Sequence, residues 1–516
     1  MDLEFEVTPK INNKIFPIEE LEKITLQERE NGKKVVLCHG VFDLVHPGHI
    51  LHLKSAKRLG DVLVVTVTPD RFVNKGPNRP YFNERLRAET IAAIECVDYV
   101  ALNEWPTAEE TILHLKPQIY AKGSEYANTA NDLTGKIEFE SSAVRQVGGE
   151  VVFTMEETFS SSNLLNQFFA AYPPEAYTFL KKFREKYSAD RIISSIRSLK
   201  DLRVTVIGEA ILDQYCYCAP LGMSPKEGIV TTKFQSEENF AGGALATANH
   251  LAGFCKEIDL VTCLGGDGEQ RDIISSMLLP NILLHAVMIE NRPTITKRRF
   301  IEPGFLKKMF EIQWLDDSPL SPVLEKKVIK HLIRSFEKTD MVVITDYGHG
   351  LFSETLRDLL YDSKKFLALN VQANSSNFGF NLVTKYNRAD YISIDEIELK
   401  LASKTQYGHF QESAKQVLKQ LNASRVMITR GAKGALLINH KEEISEVPVL
   451  STKIVDRVGA GDAFFAVTSP CAYRNFNDEA IGFIGNCAGA LAVNTICNKE
   501  PVSPVVLYKF ISSLLK

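Results

Sequence analysis

An uninterrupted apolar run near the start of this 516-residue chain, residues 35–38, leads into a glycine-containing turn and then a stretch with helical periodicity. Such a run is typical of a strand that is buried on both faces of a parallel sheet. Near the other end of the chain, a glycine-rich turn at 459–461 leads into an apolar helix pattern. Strand and helix patterns alternate around both turns. The sequence therefore predicts an α/β fold with two doubly wound domains, whose ligands bind at the carboxyl ends of the strands.

The first turn carries two histidines, His46 and His49, at the predicted start of a helix. Free N–H groups at a helix N-terminus attract anions, and Gly40 and Gly48 let the backbone approach an anion closely. An imidazole at this place donates hydrogen bonds to phosphoryl oxygens and stabilises charge that develops on phosphorus. The turn therefore predicts a phosphate site with His46 and His49 as catalytic residues. The alternative is that both histidines only cap the helix.

The second turn, Gly459-Ala460-Gly461, is followed directly by Asp462 and an apolar helix pattern. Backbone N–H groups at such a helix start stabilise a phosphoryl group in transfer, while the carboxylate accepts the proton of an attacking hydroxyl. Asp462 is therefore a predicted general base. The alternative is an ordinary helix N-cap that follows flexible glycines.

Composition and charge argue against several other classes of function. The chain has 60 Lys and Arg against 64 Asp and Glu, so its formal net charge of −4 favours neither a nucleic acid nor a membrane surface as partner. Its nine cysteines lack the spacing of a metal or redox site, which indicates reduced thiols and a cytoplasmic location. The most apolar late stretch, residues 481–493, is short, and it predicts a buried helix rather than a membrane span.

A Pro-Pro pair at 173–174 separates the two halves of the chain. After this pair, apolar residues recur at helical spacing, and they include Phe179, Phe183, Ile192 and Ile196. We therefore expect a first domain over residues 1–170, a helical connector over 171–200 and a second domain over 201–516.

The first half resembles the cytidylyltransferase-like nucleotidyltransferase superfamily. The family pattern G-x-F-D-x-x-H-x-G-H is matched by residues 40–49, and NRPYFNERLRAETI, KGSEY and FSSSNLL follow in the family's order. The resemblance implies an N-terminal Rossmann-like domain in which these motifs bind a nucleotide. The nucleotide-binding residues that it implies are Gly40, Phe42, Asp43, Arg85, Lys122, Gly123, Ser160, Ser161 and Ser162.

The plain alternative for these polar residues is that the cations are solvated and the serines form an N-cap. One departure from the most similar branch of the superfamily is His39, which stands where that branch usually carries Asn. His39 leaves the nucleobase open, with ATP expected and CTP as the alternative.

The second half, from about residue 200 to 516, resembles the ribokinase-like (PfkB) carbohydrate kinases. The segments IGEAILDQY, FAGGALATANHLAG, RPTITKRRF, DYGHGLFS, ITRGAKGALL and VDRVGAGDAFFA occur in the family's order. The resemblance implies a kinase domain with Asp462 as base and a small β lid that often pairs with a second subunit's lid, hence a homodimer. It also implies sugar-binding residues Glu209, Asp213, Gly242 and Gly243, phosphate-binding Arg292, Lys297 and Arg298, ATP-groove residues Thr429, Gly431, Gly434, Gly459 and Gly461, and metal-binding Glu398.

Several departures from the PfkB pattern concern the sugar pocket. Glu209 replaces the usual first Asp, and Ala246 stands where a sugar-binding Asn is expected. The segment NVQANSSNFGFN replaces a common D-P-K segment, and Asp395 replaces the Asn of N-x-x-E. A missing Asn amide removes two donors and one acceptor from the pocket, so the identity of the sugar stays open.

Both halves are most similar to the bifunctional heptose-phosphate kinases and ADP-heptose synthases, with the two domains in the reverse order. The resemblance implies a multifunctional transferase of nucleotide-sugar biosynthesis that uses Mg²⁺ and ATP. One half would phosphorylate a heptose-like sugar phosphate, and the other would join a sugar 1-phosphate to a nucleotide and release pyrophosphate. The alternative is a nucleotidyltransferase for a sugar or polyol phosphate with a non-catalytic, ligand-sensing kinase-like domain.

Overall fold

The computed structural model describes residues 12–73, 76–77, 79–123, 136–154, 173–266, 268–406, 410–451 and 453–516. The chain divides into two compact units. The first unit comprises Met1–Ala171 with Tyr508–Leu514 and Lys516, and the second comprises Tyr172–Leu507 with Leu515.

Five parallel strands form the sheet of the first unit, in the order β3-β2-β1-β4-β5. The strands are β1 (Val35–Gly40), β2 (Val62–Val67), β3 (Tyr99–Leu102), β4 (Ile119–Gly123) and β5 (Glu150–Thr154). The helices are α1 (Ile18–Glu30), α2 (Pro47–Lys57), α3 (Glu84–Ala92), α4 (Glu109–Leu115) and α5 (Lys136–Gln146). Because the strand order reverses between β1 and β4, the carboxyl end of β1 lies at the crevice where such sheets bind ligands.

The central strand β1 contributes to two separate hydrophobic cores. Val36 and Cys38 belong to one cluster, while Val35 and Leu37 belong to another. Successive side chains of a strand point to opposite faces, so an uninterrupted apolar run fits a sheet that is covered on both sides.

A nine-stranded sheet forms the centre of the second unit, in the order β10-β9-β6-β13-β14-β15-β16-β17-β18. It is parallel from β10 to β16, whereas β17 and β18 are antiparallel at one edge. Its strands are β6 (Arg203–Gly208), β9 (Glu257–Gly265), β10 (Ile282–Ile289), β13 (Met341–Asp346), β14 (Phe366–Val371), β15 (Tyr391–Asp395), β16 (Arg425–Thr429), β17 (Ala435–Asn439) and β18 (Ile444–Val447).

A smaller four-stranded sheet, which we call the lid, has the order β12-β11-β7-β8. Its strands are β7 (Ala210–Met223), β8 (Val230–Gly243), β11 (Ile295–Glu302) and β12 (Lys307–Trp314). Only Glu209 separates β6 of the large sheet from β7 of the lid. The expected α/β fold class, with two doubly wound domains and a small β lid, is confirmed.

The chain from residue 174 onward also contains a series of helices. They are α6 (Pro174–Lys186), α7 (Ala189–Arg197), α8 (Ala244–Ala252), α9 (Gly268–Ser276), α10 (Pro322–Phe336), α11 (Glu354–Asp362), α12 (Glu396–Ser403), α13 (Phe410–Gln420), α14 (Ala460–Tyr473), α15 (Asp478–Ala492) and α16 (Pro504–Leu515), the last of which continues into the residues of the first unit.

The helical segment after the Pro-Pro pair packs through the apolar residues that recur at helical spacing in the sequence. The ring of Phe183 in α6 stacks on Phe483 in α15, with centroids 4.4 Å apart, and Ile192 and Ile196 of α7 are buried. The apolar stretch around residue 481 forms the buried helix α15, as expected. Among the described residues, no helix is both long and apolar enough to cross a membrane.

Candidate functional site

The first candidate site lies where β1 ends and α2 begins. His46 immediately precedes the helix, and its backbone N–H donates to Nδ1 of His49 at 3.4 Å. The two imidazole rings lie 4.0 Å apart, and Phe42 packs edge-on against His49. Burial lowers the pKa of His46. The structure therefore brings both predicted histidines together at the amino end of a helix that follows the central strand, where the free N–H groups favour an anion.

Asp43, expected to contact the nucleotide, is engaged by the protein itself. Its carboxylate accepts the N–H groups of Tyr81 at 2.6 Å and Phe82 at 3.2 Å, and it pairs with Arg79 at 3.3 Å. Both partners of this ion pair are almost fully buried. Asp43 therefore holds the loop before α3 against the segment that follows β1, and its contact with a nucleotide stays a prediction.

Arg85, the predicted phosphate ligand of α3, points to solvent. Its side chain is 84% exposed and pairs with Glu89 one turn along the helix. Arg87 is instead buried, with 1% of its surface exposed, and it donates to the carbonyl oxygens of Val41 and Phe82. Residues two positions apart on a helix point in different directions, which is why Arg85 is exposed while Arg87 is buried. The contact of Arg85 with a phosphate stays a prediction.

Lys122, at the end of β4, lies in a buried ion pair. Its Nζ is 2.9 Å from the carboxylate of Glu140, which also accepts the hydroxyl of Tyr120. Gly123 ends the same strand. The structure thus places Lys122 inside the first unit rather than on an open surface. The predicted serines Ser160, Ser161 and Ser162 lie outside the described residues.

The second candidate site is a cleft of about 1340 Å³ in the second unit. This volume exceeds that of a typical pocket for one small ligand, so two ligands can be accommodated. Ten of the predicted residues line the cleft: Asp213, Gly243, Lys297, Glu398, Thr429, Gly431, Gly434, Gly459, Gly461 and Asp462.

Asp462 lies in the first turn of α14, on the wall of this cleft. Gly459, which caps the helix, has a φ of 84°, and a Cβ there would lie only 1.9 Å from Oδ1 of Asn498. Oδ1 of Asp462 accepts the Tyr347 hydroxyl and the Gln372 side-chain amide, each at 2.9 Å. Burial raises the pKa of Asp462 to about 6. A carboxylate with this pKa is suited to general-base work near neutral pH.

Asp213 forms an ion pair with Arg299, whose guanidinium also binds Glu311 at 2.7 Å. A Cβ on Gly242 would lie 2.2 Å from the Asp213 carboxylate, so this position must be glycine for the carboxylate to fit. Gly242 therefore leaves room for the Asp213 carboxylate, and its neighbour Gly243 lines the cleft. The resemblance pointed to Asp213 but gave no indication of Arg299, which lines the same cleft.

The three basic residues of β11 do not share one face. Lys297 and Arg299 line the cleft, whereas Arg298 lies over the Trp314 ring at 5.1 Å and donates to Gln214 at 3.0 Å. Side chains alternate along a strand, so neighbouring residues cannot bind one phosphate together. Lys297 is 9% exposed and forms no hydrogen bond or ion pair with the described residues, and burial lowers its pKa.

Glu209 and Arg292 line a separate pocket of about 30 Å³, not the cleft. The Glu209 carboxylate accepts the N–H groups of Tyr347 at 3.0 Å and His349 at 3.1 Å. Burial, together with Asp346, raises the pKa of Glu209 to about 7. Arg292 pairs with Asp316 at 3.2 Å. Glu209 thus holds the loop after β13. The substrate-binding roles of Glu209 and Arg292 stay predictions, and the structure places both residues outside the cleft that contains Asp462.

Glu398 lines the cleft at the start of α12. Its two carboxylate oxygens accept the N–H groups of Ala373 at 3.0 Å and Asp395 at 2.7 Å. Burial, together with Asp395, raises the pKa of Glu398 to about 8. Over the described ranges, no three His, Cys, Asp or Glu side chains are grouped as metal ligands. This carboxylate fits hydrated Mg²⁺, which is usually held by one or two carboxylates together with substrate phosphates.

The turn between β16 and β17 forms the far wall of the cleft. Thr429 ends β16, and Gly431 and Gly434 follow with φ values of 55° and 82°. A Cβ on Gly434 would lie 2.1 Å from the carbonyl oxygen of Val447. These glycines permit a tight turn that leaves the cleft open beside the strand end.

The sequence matches two family descriptions. Residues 37–201 match "Cytidylyltransferase-like", and residues 201–500 match "pfkB family carbohydrate kinase". Both are families of transferases, and the first description precedes the second along the chain.

Several curated relatives share part of the sequence. "Bifunctional protein HldE" of Trichlorobacter lovleyi is 38% identical over 167 residues, which are 32% of this chain and 33% of that protein. The protein of the same name from Gluconobacter oxydans is 41% identical over 140 residues, 27% of this chain and 28% of that protein. The chain thus spans about a third of the length of the curated relatives it matches.

Among solved structures, phosphofructokinase-2 from Escherichia coli in complex with substrates and products covers 61% of this chain with all of its own, at 15% identity and a TM-score of 0.50. At this identity the likeness shows a shared fold only. The pfkB match covers more than half of the sequence, and the cleft with its glycine turn and Asp462 lies within it. On this evidence, the chain belongs to the pfkB family of carbohydrate kinases.

Proposed function

We propose that this protein is a cytoplasmic bifunctional enzyme that makes a nucleotide-activated sugar. In this proposal residues 201–516 phosphorylate a heptose-like sugar phosphate with ATP. Residues 1–170 then join a sugar 1-phosphate to a nucleotide and release pyrophosphate, and residues 171–200 connect the two domains. The name of the curated relatives, "Bifunctional protein HldE", supports two activities in one chain.

The kinase step rests on one observation: Asp462, Lys297 and the glycine turn at 459–461 share one cleft. The Asp462 carboxylate accepts the proton of the sugar hydroxyl, and the N–H groups at the start of α14 stabilise the phosphoryl group in transfer. Mg²⁺, when bound beside Glu398, neutralises the charge of the polyphosphate. Thr429, Gly431 and Gly434 form the wall along which ATP is expected to lie.

A phosphorylated acceptor is favoured by the charge of the lid strand β11. Lys297 is a nearly buried cation that forms no ion pair with the described residues, although the charges of Asp213, Glu311 and Asp462 act on it. A direct anionic partner would favour its charged form, which burial disfavours. Arg299 adds a second cation, already shared between Asp213 and Glu311. An anionic group of the sugar substrate therefore stabilises this face of the cleft.

Replacing Lys297 tests this assignment. We expect Lys297→Ala to raise the KM for the phosphorylated acceptor by roughly 10- to 100-fold, the loss of one charged hydrogen bond, with a smaller change in the KM for ATP. Arg298→Ala removes the neighbouring cation from the opposite strand face and should have a much smaller effect. Steady-state ADP formation measures both variants. Equal effects of the two substitutions would contradict the proposed orientation of the strand.

The nucleotidyl transfer rests on His46 and His49 at the amino end of α2. Their imidazoles donate to the phosphoryl oxygens of a bound nucleoside triphosphate and stabilise the charge that develops as the sugar phosphate attacks. The buried contacts of Asp43, Arg79 and Arg87 hold the surrounding loop in place, and Asp43 and Arg85 remain proposed contacts of the nucleotide. ATP is the proposed nucleotide and CTP the alternative.

Two product assays on the full chain with Mg²⁺ test the proposed function. ADP release from ATP and pyrophosphate release from ATP or CTP are each measured against heptose 7-phosphate, heptose 1-phosphate and other sugar phosphates. Both products, each with its own acceptor, support the bifunctional proposal. Pyrophosphate release without ADP from any sugar phosphate would favour a nucleotidyltransferase with a ligand-sensing second domain, and the loss of the Asn at Ala246 is the feature that favours this second candidate.

We further propose a homodimer that forms through the lid. Adjacent lid strands expose large apolar side chains, which is unusual for a free surface. These side chains are Leu221 and Met223 of β7 and Val230 and Phe234 of β8, together with Phe305 in the turn between β11 and β12. A two-fold pairing of the same surface on a second copy would bury them.

The double variant Leu221→Glu with Val230→Glu should convert the dimer to a monomer, since two like charges per chain would meet at the interface. The matched control is Val323→Glu, an equally exposed apolar residue on α10. Light scattering after size-exclusion chromatography gives the mass. A wild-type mass of one chain at micromolar concentration would overturn this proposal.

A further inference from the structure

Two segments that the sugar and nucleotide assignments leave unused converge on Asp462. One is the loop after β13, which contains Tyr347, and the other is the asparagine-rich segment after β14, which begins with Gln372. Both residues line the cleft, and both donate to Oδ1 of Asp462 at 2.9 Å. Within the described part of the chain, Oδ2 of Asp462 accepts no hydrogen bond. The two oxygens of the Asp462 carboxylate therefore differ, because both donors bind Oδ1.

Both the backbone and the side chain of Tyr347 are held by hydrogen bonds. Its backbone N–H donates to Glu209 at 3.0 Å, and its carbonyl oxygen accepts the side-chain amides of Asn374 at 2.7 Å and Asn377 at 2.6 Å. Burial raises the pKa of the Tyr347 hydroxyl, and the neighbouring Asp462 adds to the effect. The hydroxyl therefore stays protonated and acts as a donor throughout the working pH range.

Both the backbone N–H and the backbone carbonyl oxygen of Gln372 form hydrogen bonds. Its N–H donates to the carbonyl oxygen of Asp346 at 2.9 Å, and its own carbonyl oxygen accepts the side-chain amide of Asn381 at 3.1 Å. Asn381 also donates to the carbonyl oxygen of Asp346 at 3.1 Å. The asparagines thus replace a D-P-K segment with a hydrogen-bonded frame that aims the Gln372 amide at Asp462.

We propose that Tyr347 and Gln372 are positioning residues for Asp462, because their hydrogen bonds to Oδ1 turn Oδ2 toward the acceptor hydroxyl. The inference rests on the proposed kinase activity. In the step itself, the O–H bond of the acceptor breaks and its proton passes to Oδ2. The acceptor oxygen forms a bond to the γ-phosphorus, and the bond from that phosphorus to the ADP oxygen breaks.

Removing either donor should shift the acid limb of the kinase pH profile. Hydrogen bonds from Tyr347 and Gln372 lower the pKa of Asp462, and so does the charge of Lys297, whereas burial and Asp213 raise it. Glu398 is a further carboxylate that interacts with Asp462. Without one donor, the carboxylate protonates at higher pH. The limb of kcat/KM should therefore move up by about one pH unit.

The variants are Tyr347→Phe, Gln372→Met and their combination, each measured in the full chain with ATP, Mg²⁺ and the best acceptor of the wild type. The matched control is Tyr391→Phe, which removes a buried hydroxyl that donates to Thr468 at 2.8 Å. We expect a roughly 10-fold loss of kcat and an upward-shifted acid limb in each site variant, with an unchanged KM for ATP. The control should keep the wild-type profile. An unshifted limb in Tyr347→Phe and Gln372→Met would overturn the proposal.

A second readout does not depend on turnover. The difference in Tm between wild type and Asp462→Asn, followed from pH 5 to 8, reports the protonation of Asp462 in the folded protein. The midpoint of this difference should move to higher pH when the same pair is compared in the Tyr347→Phe background. An unmoved midpoint would refute the positioning role. If no sugar phosphate yields ADP but the midpoint moves, the kinase proposal fails while the hydrogen-bonding role stands.

Discussion

Asp462→Asn is expected to lower kcat for ADP formation by about 10²- to 10⁴-fold, the usual range for the loss of a general base. The amide has nearly the same shape as the carboxylate, so the helix start and the glycine turn should remain intact. It cannot take the proton of the acceptor hydroxyl. Pyrophosphate release by the first domain should be unchanged, because His46 and His49 are not altered.

The pH dependence of the wild-type kinase provides an independent check. Burial raises the pKa of Asp462 to about 6, and only the deprotonated carboxylate is a base. The rate should therefore fall as the pH drops through about 6 and level off above pH 7. Asp358→Asn, at an exposed position of α11, is the control and should keep full activity. Retained ADP formation in Asp462→Asn would exclude Asp462 as the base.

His49→Ala is expected to lower pyrophosphate release by about 10²- to 10³-fold, as seen when one donor to a developing oxyanion is removed. The ring of His49 lies 4.0 Å from that of His46, and its loss leaves a single imidazole for the phosphoryl oxygens. ADP formation should be unaffected. The assay is steady-state pyrophosphate release with the nucleotide that the wild type prefers.

His114→Ala is the matched control for this substitution, because His114 belongs to the same domain but is 42% exposed and paired with Glu22. It should retain wild-type pyrophosphate release. A comparable loss in both variants would indicate a general loss of structure. Full activity of His49→Ala, with an unchanged Tm, would reduce the two histidines to helix caps.

The sequence was sufficient where backbone geometry dictates the residue type. The glycines at 434 and 459 adopt positive φ at places where a side chain would collide with Val447 or Asn498, so their motifs identify their position in the fold. Asp462 follows the turn at Gly459 directly, and the two histidines lie at the start of the helix that follows β1. Their location at helix starts could therefore be predicted from the sequence pattern.

The sequence was insufficient where a side chain can point in one of two directions. RPTITKRRF offers adjacent cations, and only strand register decides that Lys297 and Arg299 face the cleft while Arg298 does not. Period-2 alternation within β11 would have excluded the pair Lys297 and Arg298 as joint ligands. On α3, the direction of a side chain likewise depends on its position around the helix, so Arg85 is exposed while Arg87 is buried.

Long-range hydrogen bonds formed the second obstacle. Tyr347 and Gln372 are separated from Asp462 by 115 and 90 positions in the chain, and nothing local marks them as its partners. The motif indicates a sugar-binding role for Glu209, which stays a prediction, but it does not indicate the partners of its carboxylate. These are two backbone N–H groups of a loop that starts at the end of another strand, which only the folded sheet brings near.

Glu209 also connects segments that are distant in the chain, since it is the one residue between β6 of the large sheet and β7 of the lid. Its carbonyl oxygen accepts the N–H of Ala244 at the start of α8, while its carboxylate holds the loop that carries Tyr347. Glu209 therefore connects the junction between the two sheets to the loop of Tyr347, whose hydroxyl donates to Asp462.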